Sequence, residues 1–223
     1  YGGALAGGKT DAIVMLPIAR AFHQNRFFKG IIFRRTYPEL EKHIIPKAYQ
    51  YYPSFGGKYN DTKHQWKFPS GAVIHLGYLD TDEDVYKYDG IEYNLISYDE
   101  LTHFTERQYT YPLSRMRTVN RSLGLPTIAR STGMPGNIGH QWVKQRFIDP
   151  IPDGRKILEL KIGGKVALRS IFIPAKMQDN PVLTNEDPNY INRLRAVLSE
   201  QEFEAKAGGN WSAFEGQVFS EFR

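Results

Sequence analysis

Gly3-Ala-Leu-Ala-Gly-Gly8-Lys9-Thr10 fits the pattern G-x-x-x-x-G-K-[ST]. In that pattern successive backbone N–H groups wrap a phosphate, the lysine reaches the outer phosphates and the hydroxyl ligates Mg²⁺. Phosphate contact is thereby assigned to Gly3, Ala4, Leu5, Ala6, Gly7, Gly8, Lys9 and Thr10, and metal contact to Thr10. A second constellation is Tyr93-Asn-Leu-Ile-Ser-Tyr-Asp99-Glu100, a largely apolar stretch that ends on two carboxylates. In a phosphate-loop enzyme the first acid, Asp99, serves the metal, and the second, Glu100, orients and deprotonates the attacking water. Adjacent acids at a strand end can also be plain solvated caps, and the phosphate loop upstream is what favours the catalytic reading. Ser131-Thr132-Gly133 supplies small hydroxyls able to sense a γ-phosphate and pass on its loss. The alternative for that segment is an ordinary turn before Pro135-Gly136.

These groups need elements that hold them together. Val14, Ile18, Ala21 and Phe22 recur at helical spacing, so a helix is expected from Thr10 to Phe22, with a kink or early stop at Pro17. Its N-terminus would add positive potential beside the phosphate loop. Gly30–Phe33 reads as a buried parallel strand ended by Arg34 and Arg35, and Tyr37–Tyr51 as a second helix. Gln65–Phe68 and Ala72–Leu76 flank Pro69-Ser70-Gly71, the pattern of a β-hairpin added at a sheet edge. Further strands are expected at Tyr93–Tyr98, Pro126–Arg130, Lys156–Leu160 and Val166–Ile173, and helices from Asn189 to Lys206. The predicted fold is α/β: a mainly parallel central sheet flanked by helices, with an antiparallel hairpin addition. In such sheets ligands bind beyond the carboxyl ends of the strands, which is where the acidic pair and Ser131–Gly133 fall.

At 223 residues one main domain is expected. Hydrophobic content of 41% and charged content of 24% fit a globular protein, and no apolar run approaches a bilayer span. The chain has no cysteine, so disulfides and thiolate metal sites are excluded and a reducing compartment, the cytoplasm by default, is expected. Gly2 and Gly3 read as the turn after a strand, and the natural protein is expected to begin earlier. Lys and Arg outnumber Asp and Glu by 29 to 24, a net charge of +5 that weakly favours polyanionic partners. His23, His43, His64, His75, His103 and His140 show no metal-ligand spacing and read as structural or surface residues.

Taken together, these motifs resemble the ATPase domain of phage large terminase subunits, the motors that package viral DNA. The resemblance runs along essentially the whole chain: the phosphate loop, Phe33-Arg-Arg-Thr-Tyr-Pro-Glu-Leu40, Asp99-Glu-Leu-Thr-His-Phe104, Ser131-Thr-Gly-Met-Pro135, Asp179-Asn-Pro181, Gly209-Asn-Trp211 and Glu215-Gly-Gln-Val-Phe219. It implies a P-loop NTPase of the ASCE type with ATP and Mg²⁺ as cofactors. Lys9 and Thr10 would bind phosphate and metal, Asp99 would serve the metal, Glu100 would be the base, and Ser131, Thr132 and Gly133 would couple hydrolysis to movement. It further implies an ATPase domain over 1–206 and a linker over 207–223 toward a nuclease domain. The implied partners are double-stranded DNA, a homo-oligomeric ring, a portal protein and a small terminase subunit, in the cytoplasm of an infected bacterium and without a membrane.

Two positions depart from the family pattern. Many relatives carry an arginine inside the phosphate loop, where this chain has Ala4, Leu5 and Ala6, and many place an arginine before a glycine upstream of the acidic strand, where Asp89 precedes Gly90. Candidates for a trans-acting cation are therefore Lys87, Arg115, Arg117 and Arg121, a role worth several orders of magnitude in phosphoryl transfer. The competing functions are a helicase-like or other P-loop nucleic-acid translocase, and a binding module that holds nucleotide without turnover. Glu100 argues against the last, since a nucleotide clamp has no need of a base beside the metal ligand.

Overall fold

The computed structural model describes residues 1–117, 124–125 and 127–214. Arg121, Pro126 at the start of the fifth expected strand, and Glu215–Phe219 lie outside the described residues. The chain starts with a two-residue strand, β1 (Gly2–Gly3), where a turn was expected. Its backbone then falls into two compact units, one of Gly8–Thr132 and one that gathers Tyr1–Gly7 with the chain from Gly133 onward.

The Gly8–Thr132 unit begins with helix α1 (Lys9–Ala19). Pro17 lies inside it, removing one i to i−4 hydrogen bond and crowding the preceding turn, and α1 ends two residues later instead of reaching Phe22. After β2 (Lys29–Arg34) comes a continuous helical stretch: α2 (Tyr37–Glu39), a wider π turn (Leu40–Ile44) and α3 (Ile45–Tyr51). The π turn ends two residues before Pro46, whose missing N–H leaves the regular i to i−4 ladder without one donor. The strands β3 (Lys58–Asn60), β4 (Gln65–Lys67), β5 (Val73–Tyr78), β6 (Leu95–Tyr98) and β7 (Ile128–Ser131) complete a six-stranded sheet. Its order is β3-β4-β5-β2-β6-β7, parallel from β5 to β7 and antiparallel through β4 and β3. The hairpin addition is thus β3 and β4, while β5, the hairpin's second arm, is a full member of the parallel sheet.

In β2 every residue from Gly30 to Arg34 is buried, as expected of a central strand covered on both faces. On one face Ile32, Ile74 and Leu95 pack with Ile13, Val14 and Ile18 of α1 and with Leu40, Ile44, Ala48 and Tyr52. On the other, Phe33 stacks on Tyr98 and meets the edge of Tyr88. Each fully buried side chain of this size contributes about 1.5–3 kcal/mol. After β6 a capping box at Thr105 and Gln108 starts α4 (Glu106–Leu113).

His75 of β5 is held neutral by this packing. Burial first, and the charge of Lys29 second, push its imidazole down to about 4 from 6.5. Between those values the unfolded chain binds a proton that the folded chain refuses. Stability is therefore fully present above pH 6.5 and is lost as pH falls toward 4, by up to about 3 kcal/mol. Urea unfolding at neutral and mildly acidic pH should show this slope, and His75→Gln should flatten it. An equal slope in the variant would assign the acid sensitivity elsewhere.

In the second unit, β1 pairs in parallel with Pro174–Ala175, and Gly2 bridges Gly133. The expected strands β8 (Ile157–Ile162) and β9 (Lys165–Ile171) form an antiparallel ribbon of their own, with Ile157, Leu160, Ile162 and Leu168 exposed. The strand Pro174–Ala175 is β10. The unit also holds α5 (His140–Val143), earlier in the chain than β10, and α6 (Pro181–Glu186), α7 (Tyr190–Val197) and α8 (Glu200–Lys206) after it. Ala4, Met177, Phe203 and Ala207 share a core. Ala207 and Trp211, in the segment expected as a linker, are both buried, because their apolar side chains have a core to enter. Among the described residues no helix is long and apolar enough to cross a membrane.

Candidate functional site

Three parallel strands set the geometry. Phe33 of β2 stands beside Tyr98 of β6, and Tyr98 beside Ser131 of β7. The next residue along each strand is therefore Arg34, Asp99 and Thr132, side by side at the carboxyl ends. Backbone bonds extend that register: the Asp99 N–H donates to the Phe33 carbonyl at 3.0 Å, and the Thr132 N–H to the Tyr98 carbonyl at 2.9 Å.

Asp99 is completely buried. Its Oδ1 accepts from the Thr132 hydroxyl at 2.8 Å, and its Oδ2 accepts from Nη1 of Arg34 at 2.8 Å. The Thr10 hydroxyl, at the start of α1, lies 3.2 Å from each Asp99 oxygen. A buried carboxylate is tolerable only when paired and hydrogen-bonded, and here the strand-end arginine and two hydroxyls meet that requirement. Arg34 is itself buried, and Glu39 stands 3.8 Å from its Nε, with His103 at 3.9 Å from the other Glu39 oxygen.

Glu100 is held in the left-handed region, φ 59 and ψ 65, which for a side chain with a Cβ stores strain of about 1–3 kcal/mol. The turn lets the chain leave β6 into a short 3₁₀ segment, Leu101–His103. Its Oε2 is buried with no hydrogen-bond partner among the described residues. Burial raises the Glu100 carboxyl above its ordinary range, Lys9 opposes that, and Asp99 adds to it. Lys9 is buried, which lowers its ammonium, while Glu100 and Asp99 pull it back up. Lysine, acid pair and hydroxyl thus share one electrostatic site.

The glycine-rich segment divides. Gly8 caps α1 with φ 67 and open space around a would-be Cβ, so glycine is there for its backbone conformation. Gly8, Lys9 and Thr10 open α1, where first-turn N–H groups lack helical acceptors. In the other unit, the N–H groups of Gly3, Ala4 and Leu5 donate to the carbonyls of Gly133, Ala175 and Lys206. Those three were expected to face phosphate, but the pairing of β1 with β10 and the helix end at Lys206 occupy them. A Cβ on Gly3 would stand 2.3 Å from the Ala175 carbonyl oxygen, so Gly3 is required by that strand pairing. Ala6, with φ 57, and Gly7 follow it.

Of the candidate cations, Lys87 pairs with Asp84 at 2.9 Å, Arg115 with Asp89 at 3.2 Å and Arg117 with Glu92 at 3.2 Å. All three thus hold partners within their own unit, and Arg121 lies outside the described residues. The arginine that does reach the acidic pair is Arg34, which the sequence marks as the end of a strand and as part of the Phe33–Leu40 segment of the family resemblance, with no role of its own. Its one sequence signal was a cation at the carboxyl end of a parallel strand. Thr132, by contrast, was anticipated, and its hydroxyl touches Asp99.

The oxygen donors at this site, the Thr10 hydroxyl and the Asp99 carboxylate, are the kind that Mg²⁺ takes together with phosphate oxygens. Among the described residues no group of three His, Asp or Glu converges as an all-protein metal cage.

A family profile described as terminase large subunit, T4-like virus type, N-terminal, matches residues 1–223. No curated protein matches the chain. Among solved structures, the large terminase of a thermophilic bacteriophage in complex with ATP-gamma-S aligns with a TM-score of 0.67 at 14% identity, covering 94% of this chain and 46% of that one. A second crystal form of the same protein gives 0.69 at 15%, with coverage of 94% and 47%. Its complex with ADP gives 0.67 at 16%, again over 94% and 47%. The chain spans about half the length of these structures, and at such identities the likeness is one of fold.

Proposed function

The chain belongs to the T4-like terminase large subunit family, as its N-terminal part, and from that premise we propose that it is the ATP-hydrolysing domain of a motor that drives double-stranded DNA into a procapsid. The observation that carries this reading is the placement of the Thr10 hydroxyl 3.2 Å from both oxygens of Asp99. The hydroxyl that follows a phosphate-loop lysine thus meets a strand-end acid, and they meet beside Lys9 and Glu100. The large terminase of the thermophilic phage has been solved with ATP-gamma-S and with ADP, which supports nucleotide as the ligand here.

In this reading Lys9 and the first-turn N–H groups of α1 hold the outer phosphates, with Gly3, Ala4, Leu5, Ala6, Gly7 and Gly8 shaping the loop. Mg²⁺, held by Thr10 and Asp99, would neutralise charge on the phosphate oxygens. Glu100 takes the proton of the attacking water. Its orphaned, raised carboxyl suits a base, since burial makes proton acceptance more favourable. Thr132 reports on the site through Asp99, with Ser131 and Gly133 carrying the strand and the turn on either side. A ring of copies, engagement of a portal protein and a small terminase subunit, and action in the host cytoplasm belong to the same proposal.

Lys9→Ala tests the phosphate assignment. A charge-assisted contact contributes about 1.5–3 kcal/mol, so the Kd for ATP should rise roughly 10- to 100-fold in a fluorescent-nucleotide titration, with the far-UV spectrum unchanged. An unaltered Kd in a folded variant would remove Lys9 from the phosphate site.

A further inference from the structure

A cleft of about 320 Å³ opens at the end of the six-stranded sheet, lined by Leu16, Arg20, Phe22, Gly124, Ile128 and Arg130. Among the described residues β7 pairs only with β6, so Arg130 lies on an edge strand. Arg20 closes α1, where a cation is favoured by the helix dipole. No such local reason applies to Arg130. Arg130 is exposed, and its Nη1 donates to the Ala129 carbonyl at 3.1 Å; partial desolvation lowers its guanidinium first, and the charge of Arg20 lowers it second. Among the described residues neither arginine takes part in an ion pair, although Arg34, Arg115, Arg117, Arg169 and Arg193 all do. Both side chains are exposed, so water solvates them in the free chain, and two like charges facing one cleft leave it favourable to an anion that binds there.

We infer that Arg20 and Arg130 form a subsite for a phosphate of the DNA backbone, with Leu16, Phe22 and Ile128 providing apolar contact for the adjacent sugar. The guanidinium fork matches phosphate oxygens in geometry, and the chain's net charge of +5 favours a polyanion. Arg130 is two residues from Thr132 on one extended segment, and the Thr132 hydroxyl bonds Asp99 at 2.8 Å. A phosphate gripped at the sheet edge therefore engages the strand whose end contacts the hydrolytic site. The inference rests on the reading of the chain as a DNA-translocating ATPase.

The test measures anisotropy of a labelled mixed-sequence duplex over a series of salt concentrations, with wild type, the double variant Arg20→Ala with Arg130→Ala, and the double variant to lysine. The alanine pair should weaken binding at least about tenfold at low salt and reduce the slope of log K against log salt by ~1–2, with lysine recovering most of the slope. ATP affinity and basal hydrolysis should stay at wild-type values, since neither residue touches the hydrolytic groups. Wild-type affinity and slope in the alanine pair would overturn the subsite while leaving the ATPase reading intact. Failure of wild type to bind duplex at any salt would overturn both the subsite and the DNA reading. Loss of self-association with DNA affinity intact, read by sedimentation, would assign the arginines to a carboxylate on a second copy instead. Release of the duplex by inorganic phosphate at concentrations too low to act through ionic strength would assign the cleft to free phosphate.

Discussion

Glu100→Gln is expected to bind ATP with wild-type affinity and to hydrolyse it about 10²- to 10⁴-fold more slowly, the range that a positioned general base contributes. Glutamine keeps the shape of the side chain and the left-handed backbone at φ 59, and it removes the ability to accept a proton at Oε together with the charge that faces Lys9. Nothing among the described residues leans on that oxygen for structure, because Oε2 has no hydrogen-bond partner. The loss should therefore fall on kcat and spare the Kd for nucleotide, a split that an affinity defect or unfolding would not produce. Single-turnover hydrolysis alongside equilibrium binding of a fluorescent nucleotide measures both. A variant that hydrolyses ATP at the wild-type rate would sink the assignment of Glu100, whatever the remainder of the site does.

Arg34→Ala carries the largest expected effect on stability. It removes the guanidinium 2.8 Å from Oδ2 of a completely buried Asp99, and breaking such a pair from one side costs about 3–5 kcal/mol. For a chain of this size the Tm should fall by about 10 °C. The double variant Arg34→Met with Asp99→Asn removes both charges and should recover most of the loss, although Asn at 99 abolishes the proposed metal contact. Arg34→Lys keeps the charge without the fork and should fall between. Thermal and urea denaturation of the three variants would check this. A loss below about 1 kcal/mol for Arg34→Ala would mean that the pair behaves like an exposed one, and that Asp99 is stabilised by the Thr10 and Thr132 hydroxyls alone.

Arg34 also shows how the site escaped part of the sequence reading. Lys9, Thr10, Asp99 and Glu100 were legible because each is marked locally: glycines before a helix, or acids closing an apolar run. Thr132 was legible as a small hydroxyl at a strand end. The link between Arg34 and Asp99 had no local mark, since it follows from β2 lying beside β6 in one register, and nothing within either strand states which neighbour it will have. The donors of Gly3, Ala4 and Leu5 were misjudged for the same reason, their acceptors being Gly133, Ala175 and Lys206, residues far along the chain. Arg115 and Arg117 looked free because the partners Asp89 and Glu92 lie in a preceding segment that only folding brings alongside them.

By itself the sequence determined the alternation of strands and helices in the Gly8–Thr132 unit, the start of α1 and the residue types able to hold phosphate, metal and water. Periodicity, proline and glycine act within a few residues, so those features need no tertiary information. The tertiary structure alone decided which strands are neighbours, and with them the buried pairing of Arg34 with Asp99, the contact of Thr132 with the same carboxylate, and the burial of Ala207 and Trp211. Pairing across a sheet and packing into a core are long-range choices, settled by which apolar faces bury most area and which charges must then be neutralised.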